Sequence, residues 1–138
     1  MDGNYAILRN NFMFIRKETN MFGKKTWLIP DGYLSDTVTD DYVSHEAVCV
    51  LNLSGETAHI NLTLYFEDAE PMRGFHVECQ HERTNHIRMD RMLSDDGKPV
   101  PRNLPYAILV ESDQPIVVQY SRLDVSQPEF ALMTTIPY

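Results

Sequence analysis

Cysteine and basic residues are scarce in this chain of 138 residues, and no long apolar run interrupts it. Only two cysteines occur, Cys49 and Cys79, which excludes a disulfide-rich scaffold, and no Cys/His cluster has the spacing of a zinc site. Lys and Arg number 12 against 20 for Asp and Glu. The resulting net charge of −8 disfavours broad binding to nucleic acid or to anionic membranes.

Segments that would place the chain in a membrane or export it are also missing. The longest apolar run, Tyr106–Val110, is far shorter than the ~20 residues that a membrane-spanning helix needs. The N-terminus lacks the pattern of a secretory signal peptide, since Asp2 is acidic and Arg9 interrupts the apolar stretch. We therefore expect a cytoplasmic protein, with Cys49 and Cys79 as buried reduced thiols rather than reactive or bridged ones.

The chain has none of the common catalytic motifs, neither a P-loop nor GxGxxG, GxSxG or HExxH. Its five histidines show no usual ligand spacing, so no metal and no cofactor is expected, and an enzyme of cupin-like metal chemistry is the least favoured function. On a strand, the adjacent side chains of His45 and Glu46 would point to opposite faces. That placement counts against a two-residue metal or acid/base device.

The dominant pattern is an alternation of apolar and polar residues with a period of two. In Ala58–Phe66, every second residue is apolar, which is typical of a half-buried antiparallel strand. Turn-forming residues, such as those of the predicted turn Ser112–Pro115, separate similar segments, and no helical pattern lies between them. We predict one all-β sandwich domain of about eight short antiparallel strands over residues 24–138. The predicted strands are Thr26–Ile29, Glu46–Leu53, Ala58–Phe66, Gly74–Cys79, Asn85–Met89, Tyr106–Glu111, Pro115–Leu123 and Leu132–Ile136.

The same alternation predicts the residues of the core, because it assigns one face of each strand to the interior. The expected core residues are Val48, Val50, Ile60, Leu62, Leu64, Ile108, Val110 and Val118. Residues 1–23 differ from the rest, with four asparagines and no clear period. We predict a weakly structured extension there, ending at Gly23.

Two strands combine polar and charged residues in a way that suggests binding. In Arg83–Arg88, the side chains of His86 and Arg88 share a face, while Ile87 marks the other face as the core. Such a pair can hold an anion or the hydroxyls of a sugar, and a solvated strand face is the alternative interpretation. Further along, Arg122 and Asp124 share a face and are free to pair with each other.

Six stretches in unbroken order across residues 24–138 carry a resemblance to a known family: Trp27–Tyr33, Ser44–Asn52, Arg83–Arg88, Pro115–Gln119, Arg122–Asp124 and Ala131–Tyr138. Together they resemble the sensory rhodopsin transducer family. The resemblance implies an all-β sandwich that forms a homotetramer, works in the cytoplasm and has no known catalytic chemistry. Residues 1–20 are additional to the usual family pattern, and we hypothesise that the natural protein begins at Met21, six positions before Trp27. Some relatives carry a short polar tail, and this sequence has none after Tyr138.

Two functions remain open after the resemblance is taken into account. The first is a non-enzymatic signalling adaptor that docks on a rhodopsin-type membrane receptor from the cytoplasmic side. The second is a module that binds a small ligand, of the carbohydrate type or a small anion. We expect a homo-oligomer in either case, since open sheet edges and apolar residues such as Trp27 and Leu132–Met133 favour assembly.

The expected site collects the polar residues of the matching stretches. Gathered together, three arginines and two histidines would form a local positive site for a carboxylate, a phosphate or an acidic partner loop. Arg83 and His86 lie on opposite faces of an ideal strand, so a bulge would be needed to unite them. Removing Arg88 or Arg122 is expected to abolish binding and to cost less than ~1 kcal/mol of stability. The expected binding residues are His45, Arg83, His86, Arg88 and Arg122, with Glu46, Gln119 and Asp124 as supporting hydrogen-bond partners.

Overall fold

The computed structural model of the protein describes residues 22–138, and these form an all-β fold without an α-helix. The predicted extension over residues 1–23 therefore lies outside the described residues, apart from its last two. The strands are β1 Lys24–Tyr33, β2 His45–Asn52, β3 Ala58–Phe66, β4 Met72–Cys79, β5 Arg83–Arg88, β6 Pro105–Asp124 and β7 Ala131–Thr135, with one 3₁₀ turn at Met89–Arg91.

The seven strands form one antiparallel sheet that curls into a half-barrel, which agrees with the predicted all-β class. The order is β4-β3-β6-β2-β5, and β1 and β7 pair with the remaining edge of β6. In its first half β6 lies between β3 and β1, and in its second half it lies between β2 and β7. β6 thus pairs with four of the other six strands and connects the two halves of the sheet.

The number of strands differs from the sequence prediction, because two expected strands are one. The segment Ser112–Pro115 was expected to form a turn, but β6 runs through it without a break. Its polar residues instead stabilise a local irregularity: Asp113 accepts a hydrogen bond from the backbone N–H of His59, and the register against β1 shifts between Lys24 and Thr26. Pro115 is tolerated within β6 because the strand that pairs with β6 changes there from β3 to β2, so no regular ladder hydrogen bond is required.

The core lies on the concave side of the half-barrel, and every core residue expected from the alternation is buried. Ile60, Leu62 and Leu64 of β3 are each at most 1% exposed, as are the predicted core residues of β2 and β6. Trp27 also belongs to the core, with 6% of its surface exposed, and its indole N–H donates to the carbonyl oxygen of Ile116 at 3.0 Å. It is therefore not the spare apolar surface for assembly that the sequence suggested.

Both cysteines are free, as expected. Cys79 is buried, whereas Cys49 is half-buried on the convex face of β2. None of the helical segments among residues 22–138 has the length and apolar character needed to cross a bilayer.

Candidate functional site

The strand register divides the eight predicted site residues between two faces. On the convex face, Cys49 of β2 lies between His86 of β5 and Gln119 of β6. His45 and Arg88 belong to the same face. The structure therefore does not gather the three arginines and two histidines into one positive cluster. The residues whose positions alternate onto the other face are Glu46, Arg83, Arg122 and Asp124.

Glu46 is the most unusual of these residues, because its carboxylate is completely buried. Tyr106 and Tyr120 each donate a hydroxyl hydrogen bond to it, one to each carboxylate oxygen. The backbone N–H of Tyr33 donates to Oε2 at 2.7 Å, and Nε of Arg122 lies 3.5 Å from the same oxygen. A buried carboxylate needs such partners, since an isolated buried charge is very costly.

The electrostatics of this cluster follow from burial. Loss of solvation raises the pKa of Glu46, although Tyr106, the backbone of Tyr33 and Arg122 each oppose the change. Burial also raises the pKa of Tyr106, and the neighbouring charge of Glu46 raises it further, so this phenol stays protonated and serves as a donor. The result is a fixed arrangement of donors around one carboxylate rather than an exposed acid.

Arg122 connects this interior cluster to the surface. Its Nε also donates to the hydroxyl oxygen of Tyr120 at 3.1 Å, and its Nη2 donates to Oδ1 of Asp31 at 3.2 Å. The Arg122 side chain keeps 22% of its surface exposed, while that of Asp31 keeps 76%. Asp124 does not pair with Arg122 through a hydrogen bond; its Oδ1 accepts the backbone N–H of Ser126 at 2.8 Å. The guanidinium is thus held between the buried cluster around Glu46 and the exposed carboxylate of Asp31.

A depression that Asp31 helps to line has a volume of about 330 Å³, at the lower end of the ~300–1,000 Å³ typical of small-ligand sites, and Arg122 is not among its lining residues. It combines aromatic and proline side chains with two carboxylates, those of Asp31 and Glu67. Phe66 contacts Tyr106 edge to face, with ring centroids 6.4 Å apart, so the aromatic lining is anchored in the core. The residues that line it are Pro30, Asp31, Tyr65, Phe66, Glu67, Pro105, Tyr106 and Ala107.

On the convex face, Arg88 is held by a neighbour instead of pointing freely to solvent. Its Nε and Nη2 donate to the two carboxylate oxygens of Asp90 at 2.7 and 2.8 Å. Burial alone would raise the pKa of Asp90, but the hydrogen bonds and charge of Arg88 outweigh burial and lower it, and the charge of His45 acts in the same direction. The Nδ1 of His45 itself lies 2.8 Å from the carbonyl oxygen of Val43.

The remaining predicted residues lie apart from these two groups. Arg83 is at the end of β5 opposite Asn52, and its Nη1 donates to the carbonyl oxygen of Glu82 at 2.9 Å. His86 and Gln119 are exposed on either side of Cys49, whose pKa is raised by burial, with Ser121 opposing the change. A raised pKa keeps this thiol protonated and weakly nucleophilic.

Sequence reasoning missed Tyr106, Tyr120 and Asp31 as partners of the predicted residues. A signal for the tyrosines was present, because both alternate onto the core face of β6, where a buried phenol hydroxyl needs a hydrogen-bond acceptor. Glu46 shares the phase of Val48 and Val50, so it was the acceptor available inside. No comparable signal pointed to Asp31, which lies 91 positions from Arg122 in the sequence.

A second polar group occupies the convex face of β3 and β4. His59 lies 2.8 Å from Asp113 and 3.5 Å from Glu78, and His76 lies 2.6 Å from Asn61 through Nδ1. Among residues 22–138, no three His, Cys, Asp or Glu side chains are arranged as metal ligands. These contacts therefore tie neighbouring strands together by hydrogen bonds.

Comparison with known proteins assigns a family to this arrangement. The family model of the Anabaena sensory rhodopsin transducer matches residues 22–138. The crystal structure of Thermotoga maritima 1070 is similar, with 40% identity, a TM-score of 0.76, and coverage of 84% of this chain and 94% of that chain. The Anabaena sensory rhodopsin transducer is also similar, with 33% identity, a TM-score of 0.62, and coverage of 72% and 82%. Curated protein sequences include no match to this chain.

Proposed function

Because the chain belongs to the Anabaena sensory rhodopsin transducer family, we propose that it is a non-enzymatic adaptor that docks on the cytoplasmic side of a rhodopsin-type membrane receptor. The observation that carries the proposal is the likeness to the Anabaena transducer, which extends over 72% of this chain at 33% identity. Family membership predicts fold more strongly than partner, so the receptor itself must be tested.

The test is direct binding to a sensory rhodopsin held in lipid nanodiscs, with empty nanodiscs of the same lipid as the control. Surface plasmon resonance with the immobilised full chain measures the association. We expect saturable binding to the rhodopsin nanodiscs and none to the empty ones. Equal signals from both preparations would show that the protein does not recognise the receptor.

We further propose that the protein acts as a homotetramer. The support is the exposed strand β7, all five residues of which are exposed, including Met133 at 41%. A strand with an open edge and apolar side chains is a natural contact for another copy. Light scattering should give about four times the chain mass of 16.0 kDa, and a mass equal to that of one chain would contradict the assembly.

A second candidate function, binding of a small carbohydrate-type ligand, is favoured by the depression that Asp31 and Tyr65 line. Tyr65 offers an aromatic surface for a sugar ring, and Asp31 and Glu67 offer acceptors for its hydroxyl groups. Thermal-shift measurements with a panel of monosaccharides test this, because a ligand that binds the folded state raises Tm. The shift should be lost in Asp31→Asn and kept in Asp36→Asn, which removes an exposed carboxylate outside the depression. Absence of any shift with the wild type would exclude this function for the sugars tested.

A further inference from the structure

A patch of exposed apolar side chains lies near the end of β6, formed by the β1–β2 connection, the β6–β7 connection and the start of β7. Tyr42 and Phe130 contact edge to face, with ring centroids 5.1 Å apart and an interplanar angle of 71°. Val38 and Val43 form an isolated β-bridge beside them. We call Val38, Tyr42, Val43, Phe130 and Leu132 the aromatic patch.

The aromatic patch is exposed although the connection that carries most of it is well ordered. Leu132 exposes 74% of its surface, Val38 60% and Tyr42 52%. The backbone N–H of Thr39 donates to the carbonyl oxygen of Tyr42 at 2.7 Å, and the N–H of Ser44 donates to that of Thr37 at 3.1 Å. Exposed apolar side chains grouped on a hydrogen-bonded loop mark an interaction site more often than singly scattered ones do.

The charged side chains that the two segments of the aromatic patch supply are all acidic. Asp40 and Asp41 precede Tyr42, and Glu129 precedes Phe130, and all three are exposed. The sequence contains no lysine or arginine between Lys25 and Arg73, and none after Arg122. Neither segment that forms the patch therefore supplies a basic side chain of its own. Arg102 contacts the β1–β2 connection near its start, where Nη1 donates to the carbonyl oxygen of Ser35 at 2.7 Å.

We infer that the aromatic patch binds a lysine- and arginine-rich segment that also carries apolar side chains, such as a cytoplasmic segment flanking a membrane helix of the receptor. The inference rests on the proposed receptor docking. Cytoplasmic segments of membrane proteins carry an excess of Lys and Arg. Such a segment complements the aromatic patch in two ways: its apolar residues cover the rings, and its cations pair with Asp40, Asp41 and Glu129.

Two other occupants fit the charges less well. The cytoplasmic surface of a bilayer is itself negative, so it repels Asp40 and Asp41. A second copy that docks through the same patch in a two-fold arrangement brings identical carboxylates together. Charge complementarity therefore favours a basic peptide over lipid and over self-association at this place.

The test measures binding of a fluorescein-labelled amphipathic peptide made of leucine and lysine, using fluorescence anisotropy and the full chain. The comparison peptide has glutamate in place of each lysine. We expect the lysine peptide alone to bind, with an affinity that falls as salt is added. Asp40→Asn/Asp41→Asn should weaken binding roughly three- to tenfold. The control, Asp68→Asn/Glu70→Gln, removes the same charge from the β3–β4 connection near the other end of β6 and should leave binding unchanged.

The apolar part of the interaction needs its own variant. Leu132→Ser removes a side chain that is 74% exposed, so folding should not depend on it. We expect roughly tenfold weaker binding of the lysine peptide, as for an apolar contact at the centre of an interface. Light scattering on this variant covers the alternative occupant: a drop in oligomer mass would show that the patch is a contact between copies and would overturn the inference.

The same variants in the rhodopsin nanodisc assay separate the inference from the proposed function. Receptor binding that persists unchanged in Asp40→Asn/Asp41→Asn and in Leu132→Ser overturns the inference and leaves receptor docking intact. If both variants weaken binding of the lysine peptide but the protein does not bind the receptor, the aromatic patch is supported and receptor docking is overturned. Equal binding of the two peptides, or binding of neither, also overturns the inference.

Discussion

Glu46 and Arg122 lie directly opposite each other on β2 and β6, and Nε of Arg122 is 3.5 Å from the buried carboxylate. Between them they connect the interior of the half-barrel to Asp31 at its surface. The pair also unites two of the residues that the sequence selected as functional. The pair therefore also holds the Arg122 guanidinium against Asp31, one of the residues that line the depression.

The first prediction concerns removal of the buried carboxylate. Glu46→Ala should lower the free energy of unfolding by about 3–5 kcal/mol, because two tyrosine hydroxyls and the Arg122 charge lose their acceptor. Glu46→Gln should cost less, since its amide oxygen still accepts one tyrosine hydrogen bond. Urea unfolding measures both variants, with exposed Glu129→Ala as the control. A loss in Glu46→Ala no larger than that in Glu129→Ala would show that the cluster does not stabilise the fold.

A second prediction concerns pH and the pair formed by His59 and Asp113. The hydrogen bond and charge of Asp113 raise the pKa of His59 above its ordinary value of 6.5. A group whose pKa is raised on folding contributes stability that is complete below the unfolded pKa and is lost as pH rises through the folded pKa. NMR titration of the His59 ring should show the raised pKa, and Asp113→Asn should return it towards 6.5. The control Asp96→Asn removes another exposed carboxylate and should leave the pKa of His59 raised. If His59 titrates in Asp113→Asn as it does in the wild type, the pairing is refuted.

The fold followed from the sequence where local alternation governs burial. On β3, the phase of Ile60 and Leu64 places them inside, and no other arrangement buries that face. The segment around Pro115 was misread, because polar residues and proline favour a turn and also favour a bulge within a strand. Whether the segment forms a turn or a bulge depends on the strands that pair with β6 on both sides, and those strands are distant in sequence.

The site was predictable in part for the same reason. Strand phase correctly separated Arg83 from His86, whereas Glu46 was expected as a supporting partner at the binding site and is instead buried in phase with Val48 and Val50. It did not reveal that Asp90 holds Arg88 or that Asp31 holds Arg122, because side-chain pairing across irregular segments depends on tertiary geometry. Arg88 and Arg122, which the sequence predicted as binding residues, thus also have partners within the protein. Their contributions to binding and to stability therefore need separate measurements.

A third prediction concerns Gly23, which has a φ of +97° just before β1. A Cβ there would lie 2.5 Å from the carbonyl oxygen of Ile116, so Gly23→Ala strains the backbone and displaces β6. We expect a loss of at least about 1 kcal/mol in the free energy of unfolding. Gly55→Ala is the matched control, because a Cβ at Gly55 meets no atom within 4 Å, and it should be neutral or slightly stabilising. Equal effects of the two substitutions would contradict the close approach of Gly23 to β6.

The last prediction separates structure from binding at Arg88. Its guanidinium holds the carboxylate of Asp90, whose side chain is only 9% exposed, so Arg88→Ala should cost about 1–3 kcal/mol rather than the smaller cost expected for a free surface residue. The Asp90 contribution exists above the ordinary carboxyl pKa of 3.8 and disappears as pH falls, so the cost should shrink in acid. Arg83→Ala on the same strand is the control, since that side chain is exposed and bonds only to the carbonyl of Glu82 among the described residues. Urea unfolding at neutral and acidic pH measures both variants, and matching losses at neutral pH would mean that the pair with Asp90 adds nothing to stability.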